Sequence, residues 1–199
     1  MSTPSPDTAT VPSAAAVPSA TTVPPAAPSF AQAMEITAQW IGLWEGGELS
    51  DEVLAERVGE LVASRDGARG FFVVALAGDS ALMDRLPEPL AQSLRLAGEG
   101  VVDLTARNLA MSTAMAVQHG RQGDEQQQGR SERVQRRCAE LLAWLEPAAA
   151  EQRLTVLLAA TDGTGEDVAF LKRWGYDSVQ IEAIARVIRG VLAGDAEAS

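Results

Sequence analysis

"GFFVVALAG", residues 70–78, decides the fold class. The run is aromatic and β-branched with no polar residue inside it, so it carries no periodicity. It reads equally as a buried strand or as a short buried helix. "LTVLLAAT", residues 154–161, shows the same ambiguity in weaker form. If 71–77 and 154–160 were both strands, the chain would be an α/β protein. Two strands among many helices make a poor sheet, however, and neither has a hairpin neighbour. We therefore expect an all-α fold: a compact bundle of roughly seven to eight helices joined by Gly-rich turns.

The flanking sequence supports helices. Phe30, Met34, Thr37, Ile41 and Trp44 alternate spacings of four and three, the period of one helical face, with Ser29 placed as N-cap. Ser50 caps the next segment, whose stripe is Leu54, Val58 and Leu61. Pro89 suits the first turn of a short helix over 90–97. A long helix runs from Val101 to His119, and Val134, Cys138, Leu141 and Leu145 mark another that ends at Pro147. Residues 149–160 follow. Asp177 and Gln180 form a capping box for a last helix carrying Ile181, Ile184, Ile188 and Val191. Glycines at "EGGE", "RDGARG", "AGDS" and "AGEG" read as breaks between these pieces.

The first 29 residues hold seven of the ten prolines and otherwise little but Ser, Thr, Ala and Val. They are expected to form a disordered, partly polyproline-like tail, because they cannot bury enough apolar surface to offset ordering entropy. A single helical domain is expected over 30–194, with 195–199 as a short flexible C-terminus. The first cation is Arg57, which argues against a secretory or transit peptide. No run approaches the length of a membrane span, so no membrane insertion is expected, and a cytoplasmic location is the default. A net charge of −11 disfavours generic binding to nucleic acid or anionic lipid.

Reactive residue types gather between Arg107 and Cys138, which include the only histidine and the only cysteine. His119 precedes Gly120 and reads as a helix-end residue near free carbonyls. Cys138 belongs to an apolar stripe and reads as core. "RQGDEQQQGRS" between them reads as a mobile polar loop. Arg130, Arg133 and Arg137 share a helical face and are the candidate anion-binding residues. Ala106, Ala110 and Ala114 recur every four residues, which suits a central helix approached closely by others. Met111 and Met115 are expected to pack in the core beside it.

"ATDGTGED" (160–167) lacks the Lys-Ser/Thr of a nucleotide loop, and Thr164 with Asp167 reads as a helix start. The stretch 170–188 is similar in layout to the helix–Gly turn–helix of DNA-reading modules, but it lacks their basic surface. No catalytic, metal-binding or cofactor-binding residue is identified, and no cofactor is expected. The helix over 30–45 carries a second apolar stripe, Ile36, Trp40 and Leu43, beside the first. A helix apolar nearly all round is buried in its own fold or against a partner. Phe30, Ile36, Trp40, Leu43 and Trp44 are therefore the candidate protein interface.

The functional expectation is a non-catalytic helical protein acting in protein–protein interaction, assembly or regulation, with a protein partner or self-association. The alternative is a small-anion or ligand-binding regulator using the arginine face. An enzyme with a Cys or carboxylate site is the third reading.

Overall fold

The computed structural model describes residues 27–194, so the expected tail lies almost wholly outside the described residues, as do residues 195–199. Among the described residues there are nine α-helices and no strand, where seven to eight helices were expected. They are α1 (Phe30–Glu45), α2 (Asp51–Val62), α3 (Arg65–Ala77), α4 (Glu88–Leu96), α5 (Glu99–Gln122), α6 (Glu125–Trp144), α7 (Pro147–Thr161), α8 (Val168–Trp174) and α9 (Ser178–Ala193).

Residues 70–77 of the ambiguous run are the second half of α3, and Gly78 is its C-cap. Ser64 starts that helix by accepting a hydrogen bond from the Gly67 N–H at 3.0 Å. Both Phe71 and Phe72 are buried, edge to face with centroids 5.3 Å apart. Two consecutive residues can both be inside because α3 packs on α1, α2 and α6, which cover a wide arc of it. The glycines of "RDGARG" do not break the chain. They sit inside α3, where Gly70 lets α1 approach: a Cβ there would stand 2.5 Å from the Ala33 Cβ. The other ambiguous run lies within α7, where Ala150, Leu154, Leu157 and Ala160 make one helical face.

The 121–131 segment is a correction. It is not a loop: α5 and α6 meet in a tight hairpin, with only Gly123 and Asp124 between them. Gly123 takes the left-handed conformation, φ 70° and ψ 18°, that a side chain would strain. Asp124 then caps α6 by accepting from the Gln127 N–H at 3.0 Å. Three glutamines in the first turn are good helix formers, so the polar run propagates the helix.

One hydrophobic cluster runs from Ala33 to Ile188. α1 lies on α3, and α2 on α3 and α4. α9 packs across α5 and α7, while α3 and α4 meet α6. Ala106, Ala110 and Ala114 are enclosed, so α5 is approached closely by its neighbours. Met115 departs from the expected core packing and stands exposed, while Met111 is half-buried. Buried Thr37, Thr105, Ser112 and Thr113 all donate to carbonyls one turn back, which satisfies hydroxyls that burial would otherwise make costly. No described helix is long and apolar enough to cross a membrane.

Candidate functional site

The three candidate arginines of α6 do not form an open face. Arg137 is one of the most enclosed large side chains in the protein, 1% exposed. Its Nη1 donates to the Ala75, Leu76 and Gly78 carbonyls at 3.2, 2.7 and 2.8 Å. Its Nη2 donates to the Ser80 carbonyl and the Asp84 carboxylate, and its Nε to Asp84 as well. The guanidinium thus closes the free C-terminal carbonyls of α3 and ties the 79–84 turn to α6. All its donor nitrogens are engaged within the protein, so none remains for an external anion. Arg133 pairs with Asp79 at 2.9 Å, and Arg136 with Asp84 and Glu140. Arg130 is exposed and forms no ion pair among the described residues.

His119 and Cys138 are likewise kept apart. The hairpin register sets Gly120 against Gln128, so Cys138 lies ten residues further along α6, about 15 Å along the axis. Cys138 is fully enclosed, and burial pushes its thiol far above the ordinary range, which suppresses the thiolate. The backbone carbonyl of His119 accepts from Asp124 N–H at the hairpin turn. Among the described residues, no His, Cys, Asp and Glu side chains group as metal ligands.

Between α5 and α7 lies a cavity of about 260 Å³ beside four alternating charges. Asp103 accepts from Arg107 Nε at 2.9 Å and from Arg153 Nε at 2.7 Å. Asp167, at the start of α8, pairs with Arg153 at 2.5 Å and with Arg107 at 3.3 Å. Burial pushes the Asp103 carboxyl up, but the hydrogen bonds from Arg107 and Arg153 outweigh it and hold it low. These four groups neutralise one another and fasten α8 to α5 and α7. They also explain why the Asp167 side chain does not cap its own helix. Thr164 makes no cap either; its hydroxyl donates to the Ala159 carbonyl.

The α1 candidates are docked rather than free. Ala33, Thr37 and Ile41 form the enclosed face, and Phe30, Ile36, Trp40, Leu43 and Trp44 are all half-buried on its flanks. Arg69 lies over the Phe30 ring at 4.8 Å and Arg57 over Trp40 at 5.8 Å. Trp44 donates its indole N–H to Asp51 at 2.7 Å, and both tryptophans pack against the core.

Trp44 also borders an open groove of about 570 Å³ with Arg85 and Pro87. Arg85 also lines a second groove, about 300 Å³, together with Met83, Asp84, Leu86, Glu140, Leu141 and Trp144. Trp144 is 52% exposed there, and Arg85 is exposed with no ion pair among the described residues. The 79–84 turn held by Arg137 leads directly into Arg85, so the grooves stand on a rigid base. Sequence reasoning missed Arg85 and Trp144. The signal for Trp144 was its place off the Val134, Cys138, Leu141, Leu145 stripe, about 100° round the helix from Leu145.

The family model described as "Uncharacterised conserved protein UCP020893" matches residues 29–191, which is nearly all of the described chain. No curated protein and no solved structure matches it.

Proposed function

The chain belongs to this uncharacterised conserved family, and we propose that it is a non-catalytic helical module for protein–protein interaction, in assembly or regulation. The contact surface in this reading is Arg85 with Trp44 and Trp144 on either side. The observation that carries it is Trp144, half exposed at a groove that an unpaired arginine, Arg85, also lines. Tryptophan and arginine are the residue types that most often dominate binding energy at protein interfaces. An indole left in water forgoes a large burial gain that a partner would restore. The α1 candidates enter this surface only through Trp44; the other four support the helix that presents it.

Arg85→Glu with Trp144→Ala tests the reading. Both side chains are solvent-facing, so helical circular dichroism should be unchanged. Light scattering after size-exclusion chromatography reads self-association, and quantitative crosslinking in lysate reads a different partner. Loss of either assembly in the double variant supports the surface. Unchanged assembly, or none in the parent protein, defeats it.

A further inference from the structure

A second surface, at the corner between α8 and α9, has a different chemistry. α8 ends at Gly175 in the left-handed conformation, and α9 begins at Ser178. Lys172, Arg173, Trp174 and Val179 all stand exposed on this corner, Trp174 at 52% and Val179 at 51%. Neither Lys172 nor Arg173 forms an ion pair among the described residues. Asp177, the acid at this corner, is already engaged: it pairs with Arg121 and accepts from the Val179 and Gln180 N–H groups. Lys172 and Arg173 therefore stand outside the ion-pair network of the described residues, in a chain of −11.

The corner is also rigid. Leu171 is buried beneath it, Tyr176 packs against the core, and the Gln180 side chain donates to the Ala114 carbonyl of α5 at 3.0 Å. A reciprocal capping box between Asp177 and Gln180 fixes the start of α9. Such a platform loses little freedom when it binds. The dipole of a seven-residue helix favours cations in its last turn, but that does not account for an exposed Trp and Val beside them.

We infer that the α8–α9 corner binds a short acidic peptide segment carrying one large apolar side chain. Lys172 and Arg173 would meet its carboxylates, and Trp174 with Val179 its apolar residue. Magnitudes favour a peptide over a polyanion. Recognition of an anionic lipid surface typically takes about four to eight clustered cations, and this corner has two. Nucleic-acid binders commonly neutralise about six to ten phosphates, against which the net charge would also act. The inference rests on none of the residues of the Arg85 surface, so the two stand or fall separately.

Lys172 is the only lysine in the chain, which makes it a reporter. The probes are fluorescein-labelled octapeptides containing three Glu and one Phe in a Gly/Ser background, and the same peptides with Lys in place of Glu. Phosphatidylserine vesicles and an oligothymidylate are run beside them. The acidic peptides should bind saturably below about 1 mM. They should slow acylation of Lys172 by an N-hydroxysuccinimide ester, and weaken as salt rises. Trp174→Ala, and Lys172→Glu with Arg173→Glu, should each reduce affinity about tenfold or more. Arg85→Glu with Trp144→Ala should leave it unchanged. No saturation by about 1 mM, equal binding of the Lys peptides, indifference to both sets of corner variants, or tighter binding of vesicles or oligothymidylate overturns the inference.

Discussion

Arg137 and Asp84, 53 residues apart, meet in a two-bonded ion pair, Nε to Oδ1 at 3.0 Å and Nη2 to Oδ2 at 2.5 Å. The arginine is enclosed while the carboxylate is partly open to water, 1% against 28% exposed. The pair is therefore asymmetric. The guanidinium depends on the protein for all its partners, whereas water can solvate the acid in part.

Removing the arginine should cost more than neutralising the acid. Arg137→Met leaves the α3-end carbonyls without their donor and Asp84 with Arg136 alone, and should destabilise by about 3–5 kcal/mol. Asp84→Asn keeps an acceptor and should cost about 1–3 kcal/mol. Urea unfolding at neutral pH, followed by circular dichroism, measures both. Equal losses, or no loss for Arg137→Met, would contradict the asymmetry.

This pair also shows which parts of the structure were legible in the sequence. The caps at Ser29, Ser50 and Asp177 all stand where expected, because a cap involves residues three positions apart and sequence spacing contains that distance. Helical spacing alone places Arg137 on one face with Arg130 and Arg133, as a candidate for an external anion. Its real partners, residues 75–84, are remote in sequence. A signal was nonetheless present: Arg137 lies three after Val134 and four before Leu141, on the flank of the apolar stripe. The four-charge cluster was half legible, since Asp103 and Arg107 are one helical turn apart. Arg153 and Asp167 join it only through packing of α7 and α8 on α5.

Two carboxylates define the acid limb of stability. Arg121 and then the Gln180 N–H hold Asp177 down to about 2. The hydrogen bond from Arg137 holds Asp84 below the usual carboxylate range. A carboxyl whose value is lower folded than unfolded stabilises the fold fully above its unfolded value, about 3.9, and loses that contribution as pH falls through its folded value. The stability gap between the parent protein and Asp177→Asn should therefore be constant near neutral pH and close between about pH 4 and pH 2. The Asp84→Asn gap should close in the same direction. Urea midpoints measured at half-unit pH steps give the profile; a gap that widens on acidification would refute the assignment.

Two helical glycines should respond to alanine with opposite signs. In an unobstructed helix interior, Gly→Ala stabilises by about 0.5–1 kcal/mol, because alanine has less backbone freedom to lose. Gly129 of α6 is such a site: an added Cβ meets nothing within 4 Å. At Gly70 the same Cβ would stand 2.5 Å from the Ala33 Cβ and 3.0 Å from the Met34 N, so α1 must move off α3. That movement would loosen the enclosed face of α1, which buries Ala33, Thr37 and Ile41. Gly70→Ala should consequently destabilise by about 1–3 kcal/mol despite the propensity gain. It should also shift the emission of Trp40 and Trp44, which ride on α1. Thermal melts of the two variants, with tryptophan fluorescence of the folded state, separate the effects. A rise in melting temperature for Gly70→Ala would mean that α1 is not held against α3 at the distance described.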